Sequence, residues 1–144
     1  MKNKAIYFIT FGCVGITTEI FFTAFYNLLT KYQADKILDL RLVGETYIWM
    51  FFIYGVGSLI FPILYRYIKN YKIAIRLLIY CIVIYFIEFT AGFMLDITTG
   101  SCPWEYNSRF AICGYIRLDY AMFWMVFGLL VEKLYLFLIG TFEN

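Results

Sequence analysis

Three glutamates, Glu19, Glu88 and Glu132, lie inside apolar runs long enough to cross a bilayer. A carboxyl at membrane depth is expensive, so it faces a bundle interior, a partner or a polar cavity. There it can pair with a base, bind a cation or stay protonated. Two such groups can also divide acid and base roles when their surroundings differ. Arg109 and Arg41 are candidate cations, because both lie in connections able to fold back over the bundle. Arg109 is preferred, since a guanidinium matches carboxylate geometry. Lys133 adjoins Glu132 but points about 100° away on a helix. Tyr85 and Tyr135 offer hydrogen bonds or cation–π contacts. A cationic or amphipathic ligand would suit this set.

A second group gathers in the connection 96–119, where Cys102, Glu105, Tyr106 and Arg109 combine a thiol, an acid, a phenol and a cation. Acid–base catalysis would require them within hydrogen-bond reach of one proton path. The structural alternative is a cap. Pro103 restrains Cys102 toward extended backbone, and Trp104 supplies a large apolar face with one donor. Tyr106 reaches inward in that arrangement.

Other chemistries lack their residues. The chain has no histidine, the commonest ligand to zinc and the commonest base. No phosphate-binding loop, HExxH helix or CxxC pair occurs. No metal or cofactor is therefore expected. No basic stripe interleaved with aromatics points to nucleic acid. Of four cysteines, Cys13 and Cys81 sit in apolar runs, while Cys102 and Cys113 share the long connection. Those two could pair if the connection faces an oxidising compartment.

The elements that must position these groups are helices. The 144 residues are 63% hydrophobic and only 15% charged, against about a quarter charged in soluble domains. A soluble fold this small could not hide that much apolar surface. Four runs, 5–29, 47–67, 73–95 and 120–142, approach or exceed the ~20 residues that cross the hydrocarbon as a helix. Four such runs cannot close a β-barrel. The fold expected is an all-α polytopic membrane domain spanning 1–144, with four transmembrane helices and a long, partly buried or re-entrant connection before the last. Lys2 and Lys4 precede an apolar run with no small-residue cleavage site, which reads as a retained first helix. Connection 31–45 could hold a short interfacial helix through Ile37, Leu38, Leu40 and Leu42.

Helical spacing puts Glu19 on one face with Gly12, Gly15 and Thr23, Glu88 with Cys81, Tyr85 and Gly92, and Glu132 with Gly128 and Tyr135. Each glutamate thus has a glycine one turn away, as close helix packing around a polar seam requires. Pro62 removes a hydrogen bond inside the second run. Connection 66–76 carries Arg66, Lys69, Lys72 and Arg76 with no acid. That density places it, and both termini, in the cytoplasm.

The stretch Cys102-Pro103-Trp104-Glu105-Tyr106-Asn107, followed by Gly114-Tyr115-Ile116-Arg117-Leu118-Asp119-Tyr120, is distinctive. Together with Glu19, Tyr54-Gly55, and Glu88-Phe89 followed by Gly92, it resembles the small integral membrane proteins labelled "putative ABC-transporter type IV". The resemblance covers most of the chain. It implies a motif acid at Glu105, motif aromatics at Trp104 and Tyr106, and intramembrane acids at Glu19 and Glu88. The family often has aspartate and serine at the positions of Glu105 and Asn107.

Three functions follow as expectations. The first is transport or binding of a small cationic, amphipathic or lipid-like ligand at a polar core of Glu19, Glu88, Glu132, Tyr85 and Arg109, capped by Cys102, Trp104, Glu105 and Tyr106. The second is an intramembrane lipid-modifying enzyme using carboxylates. The third is a structural subunit that pairs with membrane lipids and with a second copy or another membrane protein.

Overall fold

The computed structural model describes residues 4–36, 38 and 40–142. Four long helices dominate: α1 (Lys4–Asp35), α2 (Ile48–Ile68), α3 (Ile73–Thr99) and α4 (Ala121–Phe142). All four are long and apolar enough to cross a membrane. Only 17–33% of each span is buried within the protein. The rest is open apolar surface suited to lipid contact, including Phe86, Phe137 and Ile82, which are all strongly exposed.

The chain forms two compact units whose boundary falls inside α2, one over Lys4–Leu59 and one from Ile60 onward. In the first unit, glycines bring α1 against the first half of α2. A Cβ at Gly12 would lie 2.7 Å from the Phe51 ring and 2.9 Å from its carbonyl oxygen. One at Gly15 would enter the Tyr54 ring, and one at Gly55 would lie 2.6 Å from Phe8. The rings of Phe8 and Phe51 meet edge to face at 5.9 Å.

α1 runs 32 residues, about 48 Å, and extends past the expected end at residue 29. Its last turns are the polar stretch 31–35, which suits a helix protruding from a ~30 Å hydrocarbon layer. The short helix expected in connection 31–45 does not form among its described residues after α1, and Ile37 and Lys2 lie outside them. Hydrogen bonds to α1 hold residues 43–45 in irregular backbone instead. Glu45 N–H donates to Thr23 Oγ1 (2.8 Å), which also lies within donor distance of the Glu45 carbonyl (2.9 Å). Asn27 Nδ2 donates to the Val43 carbonyl at 3.2 Å. A Cβ at Gly44 would run into the Ile20 carbonyl.

In the second unit α3 and α4 pack closely, with Gly128 set against Tyr80. Phe61 and Tyr65 of α2 meet Tyr135 of α4 with ring centroids 5.4 and 5.7 Å apart. Gly100 closes α3 in the left-handed conformation at φ 83°. The connection that follows has regular structure of its own. It contains a two-stranded antiparallel hairpin, β1 (Ala111–Ile112) with β2 (Ile116–Arg117), and then a 3-10 turn over Leu118–Tyr120. Cys113 and Gly114 both adopt positive φ, 53° and 76°, in the tight turn between the strands. That double left-handed turn matches the natural twist of a hairpin. The connection is partly buried through Cys102, Trp104 and Ile116.

The glycine contacts separate packing glycines from idle ones. Gly15→Ala should destabilise the detergent-solubilised protein by about 1–3 kcal/mol, because its methyl has no room. Gly57, with nothing within 4 Å of its would-be Cβ, should accept alanine neutrally or with a gain of up to about 1 kcal/mol. Equal thermal shifts for the two variants would contradict the close α1–α2 contact.

Candidate functional site

Each core acid accepts a hydrogen bond from a tyrosine. Within the Lys4–Leu59 unit, Tyr54 donates to Glu19 Oε2 at 3.1 Å. The buried hydroxyl of Thr46 faces the same carboxyl. Glu19 sits midway along α1 and is half-buried. Among the described residues no basic side chain reaches it. The spacing on α1 explains the placement, since Gly12 and Gly15 draw Tyr54 in and Thr23 holds the segment carrying Thr46.

Within the second unit, Glu132 is 2% exposed and carries the strongest set of partners. Arg76 Nη1 donates to its Oε1 at 2.9 Å, and Tyr80 donates to its Oε2 at 2.5 Å. Arg76 and Tyr80 are one turn apart on α3, so one helix face presents both donors to α4. Gly128, one turn before Glu132, leaves the room that Tyr80 fills. The pair is charge-assisted and nearly dry, the geometry in which an ion pair must satisfy its own desolvation.

Glu88, also buried, accepts from Tyr106 at 2.8 Å. Two turns further along α3, Tyr115 donates to Asp96 at 2.7 Å. This bond pushes the Tyr115 phenol up to about 12, because ionising it would set two negative charges together. Gly92 lies between the two acids and admits the Tyr115 side chain and the Cys102 sulfur, each just over 3 Å from its would-be Cβ. Trp104 Nε1 donates to the Tyr115 carbonyl at 3.2 Å, and Tyr106 N–H to the Gly114 carbonyl at 2.8 Å. Tyr85 donates to the Arg117 and Leu118 carbonyls at 3.0 Å. Arg117 in turn pairs with Asp119 at 2.7 Å and lies over the Tyr120 ring. The connection between α3 and α4, loop three, is thus fastened to α3 by the phenols of Tyr85, Tyr106 and Tyr115, while the Trp104 indole braces it internally.

The expected site residues therefore fall into separate places. Glu88 and Tyr106 meet. Glu132 meets neither of them, and its cation is Arg76, which as a sequence feature counted only toward loop charge. Arg109, expected to reach a core acid, is exposed and lies 4.6 Å from the centre of the Phe110 ring. It precedes the hairpin, whereas Arg76 is in the first turn of α3 and bonds Glu132 of α4. Tyr85 serves backbone carbonyls, and Tyr135 is packed among Phe61 and Tyr65. Glu105 is exposed beside Gly114. Cys102 and Cys113 are both free thiols, one buried and one exposed. Burial pushes the Cys102 thiol up from its ordinary range, which opposes a nucleophilic role. Cys102, Glu105, Tyr106 and Arg109 thus face four different neighbours. Sequence reasoning missed Tyr80, Arg76 and Thr46, and met Tyr54 within the family resemblance without assigning it to Glu19. The i, i+4 spacing of Arg76 and Tyr80 was the one available signal.

Two outcomes test this geometry. Arg76→Gln strands a buried carboxylate and should lower stability by up to about 3 kcal/mol, below the fully buried value because the Arg76 side chain is 17% exposed. Arg76→Leu with Glu132→Leu should recover most of that, while Arg109→Ala should stay within about 0.5 kcal/mol. Thermal unfolding in detergent reads all three, and an Arg109 shift as large as that of Arg76 would overturn the assignment. In folded protein, maleimide should label Cys113 near neutral pH. Cys102 should resist even above the ordinary thiol value of about 8.5, since both its burial and its raised ionisation act in the same direction. Equal rates for the two thiols would contradict the burial of Cys102.

No solved structure matches the chain. The family model described as "Putative ABC-transporter type IV" matches residues 6–143. That range takes in the mid-helix acids, their tyrosine partners and the whole of loop three. The protein belongs to this family of integral membrane proteins.

Proposed function

We propose that the protein is a small membrane-embedded binding or transport component, and that its ligand site is centred on Glu19. The ligand class is a cationic or amphipathic molecule. The observation that carries this reading is the contrast between Glu19 and Glu132. Glu132 has its charge compensated inside the protein by Arg76. Glu19 lies at membrane depth, is half-buried, accepts a hydrogen bond from the neutral Tyr54 hydroxyl and has the Thr46 hydroxyl nearby. A carboxyl so placed keeps capacity for an incoming cation, while its hydroxyl neighbours hold it in position.

Glu88 and Glu132 take structural roles in this reading. They fasten loop three and α4 to α3. The family description names transport, and the sequence carries no phosphate-binding loop. An ATP-driven cycle would then draw on a nucleotide-binding partner chain. The basic density of 66–76 supports a cytoplasmic connection between α2 and α3, loop two, with both termini on that side. An impermeant maleimide should accordingly reach Cys113 in intact cells, and labelling only after permeabilisation would reverse the orientation.

The test uses purified protein in lipid nanodiscs and a lipophilic cation such as tetraphenylphosphonium. Wild type should bind it saturably. Glu19→Gln should weaken binding by about tenfold or more, the loss of one charge-assisted contact, with little change in melting temperature. Saturable binding that is unchanged in Glu19→Gln, or no binding by wild type, rejects the proposal.

A further inference from the structure

The Arg76–Glu132 pair fixes the height of α4 against α3, and this has a consequence at the loop-two edge. Arg76 is three residues into α3, roughly 4.5 Å along the helix from its start at Ile73. Glu132 touches it, so Lys133 lies at the same level, within about one turn of loop two. In the sequence Lys133 is mid-segment. In the fold it stands near the rim, and it is exposed, turned away from the core.

Loop two itself is short. Lys69 N–H bonds the Tyr65 carbonyl at 2.9 Å and Tyr71 N–H the Ile68 carbonyl at 2.9 Å. These bonds hold Arg66, Lys69 and Lys72 close to the ends of α2 and α3, and all three are exposed. No acid occurs between residues 65 and 76. The nearest acid on the neighbouring helix, Glu132, is buried and already neutralised by Arg76. Tyr67 and Tyr71 stand exposed among these cations, at 74% and 52%. Tyrosines with one apolar and one polar end belong at the level of lipid headgroups.

We infer that Arg66, Lys69, Lys72 and Lys133 form a basic rim that selects anionic phospholipid headgroups in the leaflet on the loop-two side. Arg66, Lys69 and Lys72 supply charge at the headgroup plane. Lys133 reaches the same plane by snorkelling from the side of α4. The occupant is lipid rather than a soluble anion, because apolar helix surface continues directly below the rim. Juxtamembrane cations attract anionic lipid in this way, and the attraction falls with salt.

Full-length protein in detergent, mixed with equal amounts of phosphatidylglycerol and phosphatidylcholine, supplies the test. Native mass spectrometry counts the lipids retained. Wild type should keep phosphatidylglycerol over phosphatidylcholine by about fivefold or more, the effect of one well-placed cation near a surface. Lys69→Gln with Lys72→Gln, both exposed in the turn and outside every side-chain contact described above, should cut that preference. Adding Arg66→Gln and Lys133→Gln should abolish it. Lys31→Gln, on α1, should leave it intact. Equal retention of the two lipids by wild type, or an undiminished preference in the fourfold variant, overturns the inference. Retention of inorganic phosphate in place of lipid would do the same, by showing an anion site with no lipid selectivity.

Discussion

A carboxyl in hydrocarbon has no water to bond with, so the protein must bring it a donor. Here the donor is a phenol each time: Tyr54 for Glu19, Tyr80 for Glu132, Tyr106 for Glu88 and Tyr115 for Asp96. Much of the architecture follows from those four bonds. Lipid tails are as apolar as leucine, so burying leucine against leucine does little to join helices. Close approach and polar bonds must do it. Gly15 lets Tyr54 near, and Gly128 lets Tyr80 near. The remaining two bonds bind loop three to α3.

The four pairs are not equivalent. A phenol satisfies an acid without changing the local charge, and Glu132 adds the Arg76 guanidinium. That addition makes the α3–α4 contact tight and electrically closed. The α1–α2 contact stays electrically open at Glu19. The difference sets Glu132, whose charge is answered inside the protein, apart from Glu19, whose bonded partner is a neutral phenol.

The spans, the acids and the faces they share were legible in the sequence, because apolar length and helical spacing are local properties. The family resemblance was legible in loop three for the same reason. Partners were not. With 14 tyrosines in the chain, nothing in local pattern distinguishes Tyr54 or Tyr80 from a tyrosine facing lipid. Arg76 and Glu132 stand 56 positions apart, and Arg76 also fits a topology charge, so the choice fell on Arg109, in a connection able to fold back over the bundle. The hairpin has two-residue strands, too short for any alternation to show. The polar residues 31–35 read as loop although they extend α1. The leucines after them suggested a helix, yet Thr23 and Asn27, a segment away, tie down residues 43–45 as irregular backbone.

The contact between Thr23 and Glu45 is made to backbone, through the N–H and the carbonyl, and not to the glutamate side chain. The two positions therefore carry unequal information for descent with modification. Position 45 can drift through almost any residue without losing the bond, with proline the exception because it has no N–H. Position 23 must keep a hydroxyl, so threonine or serine. A charged residue that draws the eye is, at this joint, the interchangeable half.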